Sequence, residues 1–171
     1  MRPWRESDAA ALVRRINDPD IAAFLDRVPH PYTHDDAREW FELAGAAWQD
    51  GTMATFAIEV EGIEGAAGGI GIHFFTGLDE GTAEIGYWVA AEARGRGAAS
   101  AATRLAAEWA FEALPGLTRL QLRADVENVA SNRVAEKAGF TREGVLRSQR
   151  HNARLGRRTD FVMWSLLREE L

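Results

Sequence analysis

The turn Arg94-Gly95-Arg96-Gly97-Ala98-Ala99 joins a run with the period of a β-strand to a run with the period of an α-helix. Upstream, Ala83, Ile85, Tyr87 and Val89 share one face of a strand over 83–89, and Glu84, Gly86 and Trp88 share the other. Downstream, Ala98, Ala102, Leu105 and Trp109 recur at helical spacing and are expected to face a core, with Pro115-Gly116 as the stop. A helix opened by small residues constrains chemistry as well as fold. Its first N–H groups lack intrahelical partners and carry partial positive charge. Small side chains let an anion approach them, and two arginines add charge-assisted donors. Pyrophosphate binding is therefore the chemistry expected at residues 94–99, with a plain tight turn as the competing reading. A P-loop would need Lys followed by Ser or Thr, and a dinucleotide loop a third glycine; neither is here.

The segments around this turn extend the pattern. Ser7 is placed to cap a helix over about 8–17 that Pro19 would end, and Thr33 to cap another over about 34–49, with Asp35 and Asp36 in its first turn and Gly51 after it. Residues 52–60 and 67–75 read as strands, joined to each other and to 83–89 through glycine-bearing turns at 62–65 and 77–81. Residues 119–126 alternate again, a short helix over 129–138 closes on Gly139, and strands at about 140–149 and 158–167 follow. The order predicts one mixed α/β sheet with helices on its faces, in a single domain over 1–171.

The chain has no cysteine, so disulfides and thiolate nucleophiles are excluded. No apolar run reaches membrane-spanning length, and the N-terminus lacks the apolar core of a signal peptide, so a cytoplasmic location is expected. Net charge is −6, which argues against nucleic acid as a partner. Residues 1–93 hold 6 arginines against 17 acids, whereas 94–171 hold 14 basic residues against 9 acids. A basic half inside an acidic chain suggests a local anionic partner, or merely an uneven surface. His30, His34 and His73 lack metal-ligand spacing. Trp40 and Trp48 fall on one helical face as core or pocket wall. Arg147, Arg150, Arg154, Arg157 and Arg158, with His151, read either as a solvated hairpin loop or as a wall for an acidic acceptor.

Five segments together resemble one family. The 94–99 turn is similar to the pyrophosphate signature of the GNAT N-acetyltransferase superfamily. Asn128 to Phe140 resembles its asparagine-helix-Gly-Phe segment, and Glu84 to Val89 its preceding strand. The start at residues 2–9 and the ending at 158–166 resemble the ribosomal-protein N-terminal acetyltransferase branch, typified by RimJ and RimL. The resemblance implies a mostly antiparallel mixed sheet splayed into a V, with helices on both faces. Acetyl-CoA would be the co-substrate, its pantetheine along 83–89 beside Trp88 and Val89, and its pyrophosphate on Arg94, Gly95, Arg96, Gly97, Ala98 and Ala99. Asn128 would hydrogen-bond the pantetheine. No metal is implied. The acceptor amine would attack the thioester directly, with Glu84 as general base and Ser131 near the departing sulfur.

The chain also departs from the family pattern. The first strand of the family begins several residues before the position of Met1, so the edge strand here is short or the true start lies upstream. The tyrosine that many members carry seven residues after the asparagine is Ala135 here, while Ser131 stands three after it, as in the ribosomal-protein branch. The acceptor is a protein N-terminus or a small amine such as an aminoglycoside, polyamine or amino acid. The enzyme would act as a monomer or homodimer, without nucleic acid or membrane. A non-catalytic acyl-CoA-binding module is the alternative, and the acids and hydroxyls kept at Glu84 and Ser131 speak against it.

Overall fold

The computed structural model describes residues 1–171, the side chain of Leu78 excepted. A 3-10 turn at Glu6–Asp8 leads into α1 (Ala9–Ile16), followed by α2 (Pro19–Phe24) and α3 (His34–Gln49). Three antiparallel strands come next: β1 (Met53–Ile58), β2 (Gly68–Phe74) and β3 (Thr82–Val89). Then follow α4 (Ala98–Ala113), β4 (Arg119–Asp125), α5 (Val129–Lys137), β5 (Thr141–Asn152) and β6 (Arg157–Leu167). The strands form one sheet in the order β1-β2-β3-β4-β6-β5. All pairs are antiparallel except β3 with β4.

That parallel pair is short. It runs only from Thr82↔Arg119 to Glu84↔Gln121, although β3 continues to Val89 and β4 to Asp125. Beyond Glu84 the strands part and the sheet opens into a V, as the resemblance implied. One face of the sheet packs Ile72, Ile85, Leu120 and Leu122 against α4 and α5. The other face, over β1–β3, is covered by α1 and α3 through Leu12, Ile16, Trp4, Trp40 and Trp88. Arg2 makes a single antiparallel bridge to Ala57, so the edge strand is one bridge long.

Thr33 caps α3 with Asp36 completing a reciprocal pair of bonds, as expected. Three expectations need correction. Ser7 caps nothing, because the first turn closes on Asp8, whose carboxylate accepts from the Arg5 N–H and pairs with Arg2. A charged acceptor held by a guanidinium outcompetes a hydroxyl for that place. Pro19 does not simply end a helix: it is the first residue of α2, where its missing N–H costs nothing, and Asp18 caps that helix. On α4 the buried stripe is Ala99, Ala102, Thr103, Ala106 and Ala110, while Leu105 is exposed. The alanines let α4 lie close to the sheet.

The arginine-rich β5–β6 hairpin is solvated at Arg147, His151, Arg157 and Arg158, as one reading expected, but Arg150 and Arg154 are engaged. Arg154 donates to the carbonyls of Ala22, Leu25 (2.9 Å) and Val28 (2.6 Å), and Asn152 donates to that of Ala23. Arg150 pairs with Asp26 and lies over Phe161. The hairpin thus clamps residues 22–28, the segment that separates two cavities.

Candidate active site

The first cavity, of about 660 Å³, lies where β3 and β4 part. It brings together Glu84, Trp88 and Val89 of β3, Arg94, Ala99 of α4, and Asn128 and Ser131 of α5. Gly95 does not line it. Arg96, Gly97 and Ala98 line a smaller hollow of about 220 Å³ beside Ile58 and Val60. The turn is continuous with both. Gly95 and Gly97 have φ of +72° and +78°, and a Cβ on either would meet nothing within 4 Å. No side chain caps α4, so its first N–H groups face this open surface. A phosphate therefore fits the turn by both conformation and space. Arg94 is less available than expected: it donates to Asp18 (2.7 Å) and Asp20 (2.9 Å) at the start of α2, the helix unread in the sequence. Arg96 donates to the Glu61 carbonyl (2.8 Å) from an exposed position.

Glu84 is half-buried and held from β4. Its Oε2 accepts from Arg123 (2.5 Å) and Gln121 (3.2 Å), which leaves Oε1 without a hydrogen bond among the described residues. His73 of β2 is its cross-strand partner. Burial holds the His73 imidazole below the usual histidine range, although the neighbouring Glu84 carboxylate pulls the other way. His73 thus stands beside the carboxylate.

Asn128 is the N-cap of α5: its Oδ1 accepts from the Ser131 N–H at 2.9 Å. Its Nδ2 donors remain for another partner. The Ser131 hydroxyl is 2.8 Å from that of Tyr87. Sequence reasoning assigned Tyr87 no role, because its face of β3 points into the core. Its ring does pack there, but the hydroxyl reaches the cavity floor. Burial pushes the Tyr87 phenol up to about 12, against a smaller lowering by Ser131, so it stays protonated at neutral pH. Position 135 carries Ala135, and the phenol beside Ser131 comes from β3, 44 residues away in sequence.

A second cavity, of about 520 Å³, lies between β1–β3 and the helices α1 and α3. It shares Gly86, Tyr87, Trp88 and Leu25 with the first, so the two meet across β3. The arrangement offers two chambers with a carboxylate, an imidazole and a hydroxyl pair around their junction. One chamber ends at an anion-ready helix terminus.

Residues 1–141 match the family model described as "Acetyltransferase (GNAT) domain". An uncharacterized N-acetyltransferase, p20 of Bacillus licheniformis, is 27% identical over 170 residues, covering 99% of this chain and 93% of its own length. The putative ribosomal N-acetyltransferase YdaF of Bacillus subtilis is 42% identical over 88 residues, 52% of this chain and 46% of its own. The solved structure of Mycobacterium smegmatis RimJ in complex with CoA-disulfide superposes with a TM-score of 0.86 at 28% identity, covering 99% of this chain and 82% of that one. No helix here is long and apolar enough to cross a membrane. The V-shaped sheet, the open glycine turn and these likenesses agree, and the chain belongs to the GNAT family of acetyl-CoA-dependent N-acetyltransferases.

Proposed function

We propose that the chain transfers an acetyl group from acetyl-CoA directly to a primary amine, with CoA in the β3–β4 cavity and the acceptor in the cavity under α1 and α3. The observation that supports this best is the meeting of the two cavities at Gly86–Trp88, with Glu84, His73, Tyr87 and Ser131 around the junction. The description of YdaF as a putative ribosomal N-acetyltransferase supports a protein among the acceptors, its N-terminus included.

The roles follow from position. The turn at 94–99, with the first N–H groups of α4, holds the pyrophosphate, and Nδ2 of Asn128 reaches the pantetheine. When bound, acetyl-CoA supplies a thioester carbonyl. An alkyl ammonium cannot attack it until it loses a proton. Glu84 takes that proton on the oxygen that Arg123 and Gln121 leave unbonded. His73, the cross-strand neighbour of Glu84, is the second candidate for the same step. As the new C–N bond forms and the C–S bond breaks, the sulfur needs a proton or a hydrogen bond. Ser131 gives it one, and Tyr87 re-supplies Ser131. A lone serine hydroxyl is too weak an acid for this; a phenol at about 12 is a better source.

The test is release of free CoA thiol from acetyl-CoA in the presence of amines and N-terminal peptides, with succinyl-CoA as the donor control. Amine-dependent release from acetyl-CoA is expected. Binding of acetyl-CoA without release in the presence of any amine would make the chain an acyl-CoA-binding module instead.

A further inference from the structure

The chemistry of the second cavity limits what can lie in it. Its floor crosses the sheet along the register Thr55↔Gly71↔Gly86. Side chains at Gly71 and Gly86 would project from this face of the sheet, yet both positions are glycine. A Cβ on Gly86 would meet nothing within 4 Å, and one on Gly71 would make only ordinary contacts with Thr55, His73 and the Ala54 carbonyl. Neither glycine has a positive φ, so neither is required by its backbone. Their absent side chains leave a trench that ends at the Glu84/His73 pair on one side and at Trp88 on the other.

The walls are apolar and fixed. Trp4 and Trp40 meet edge to face with ring centroids 5.2 Å apart, and Leu12, Ile16, Leu25 and Val28 add to the apolar lining. The Leu25 and Val28 carbonyls are tied down by Arg154, so this wall is already in place before a ligand enters. Besides the indoles, the polar side chains of the lining include Arg27, Tyr32, Asp36, Glu39, Thr55 and His73. Asp36 is engaged with Thr33 in capping α3, which leaves Glu39 as the lining carboxylate without a hydrogen bond among the described residues. The Trp4 indole N–H is out of water and has no acceptor among the described residues. A polyamine would need a carboxylate for each ammonium, and an aminoglycoside a partner for each buried hydroxyl. The lining offers one uncommitted carboxylate, Glu39, and few partners for hydroxyls.

We infer that the acceptor is a primary amine carried on an aromatic or branched apolar body. The body fills the tryptophan-walled trench and the amine projects past Gly86 to Glu84. Free arylalkylamines and peptides with an aromatic or branched N-terminal residue share this chemistry. The inference rests on the acetyltransferase reading above. Burying an aromatic or leucine-sized side chain separates acceptors by roughly 10- to 100-fold.

The experiment compares thiol release at saturating acetyl-CoA for phenylalanine amide, alanine amide, 2-phenylethylamine, a Phe-initiated peptide, spermidine and an aminoglycoside. Quenching of tryptophan fluorescence by 2-phenylethylamine, measured with CoA present, reports binding without turnover. The expected result is kcat/KM for phenylalanine amide about 10- to 100-fold above that for alanine amide, with the two polar amines lowest. Preference for the Phe-initiated peptide over 2-phenylethylamine assigns a chain terminus as the source, and the reverse assigns a free amine. Gly71→Leu, which fills the trench, should bring the phenylalanine-to-alanine ratio close to 1. Gly71→Val is the smaller replacement, and calorimetric binding of acetyl-CoA shows that either variant is folded. Equal or greater activity toward alanine amide, spermidine or the aminoglycoside overturns the inference and leaves the acetyltransferase reading standing. Quenching without any thiol release upholds the pocket's chemistry and overturns the acetyltransferase reading.

Discussion

Replacing Tyr87 with Phe removes one oxygen and leaves the ring in its packing. The lost bond is the 2.8 Å contact to the Ser131 hydroxyl. A hydrogen bond of this kind contributes about 0.5–1.5 kcal/mol to stability. For a chain of 171 residues that is a fall in Tm of about 1–6 °C. The effect on turnover should be larger. If the hydroxyl pair donates to the leaving sulfur, its loss removes a bond to a developing charge, worth about 1.5–3 kcal/mol, or roughly 10- to 150-fold in kcat. Affinity for acetyl-CoA, measured by calorimetry, should stay within about twofold, because the turn and Asn128 are untouched. Ser131→Ala should give a similar loss of kcat, and the double variant little more than either alone, since the two act in series. The wild-type phenol, at about 12, should add no basic limb to the kcat profile below pH 9. A Tyr87→Phe enzyme with unchanged kcat, or losses that multiply in the double variant, would refute the relay and leave Tyr87 as packing.

Three further outcomes are expected. Gly97→Glu should abolish acetyl-CoA binding by calorimetry, whereas Gly97→Ala, with the same backbone strain at φ +78° and no charge, should retain most of it. Asn128→Ala should cost about 1 kcal/mol through loss of the α5 cap, seen in Tm, and raise the KM for acetyl-CoA by roughly 5- to 150-fold. Asn128→Asp keeps the cap acceptor but not the amide N–H, so a KM restored to wild type in that variant would limit Asn128 to capping. Glu143 is held at about 2 by Arg119 and then Ser165, below its unfolded value, so its contribution to stability is complete above about pH 4.5 and is lost as pH falls toward 2. Glu143→Gln should flatten Tm against pH over that interval; an unaltered profile would show that the exposed pair is screened by solvent.

The fold was largely legible because its strands alternate apolar and polar residues and its turns carry glycines at positive φ, signals that local sequence contains. The capping of α3 by Thr33 was legible for the same reason. What was not legible needed knowledge of neighbours. Pro19 is compatible with both the end of one helix and the start of the next, and only the Asp18 cap decides. The buried face of α4 is made of alanines, which carry too little hydrophobic signal to outweigh Leu105. In the site, the glycine turn and the positions of Glu84, Asn128 and Ser131 could be read from sequence order. The partners of Arg94, Glu84 and Ser131 come from elements 37 to 76 residues away, so spacing could not show them. Within the arginine run at 147–158, Arg150 and Arg154 looked unpaired because the Asp26 carboxylate and the carbonyls they engage belong to residues 22–28.

The most direct test of the account is the kcat of Glu84→Gln in the thiol-release assay, measured from pH 6 to 9 with a reactive amine. The substitution keeps the side chain's size and its position on β3 but removes the proton acceptor beside the junction of the cavities. General-base catalysis contributes about 10²- to 10⁴-fold, so kcat should fall by that factor across the range, with acetyl-CoA affinity little changed. Wild-type kcat across this range would contradict the assignment of Glu84 and pass the proton to His73 or to water.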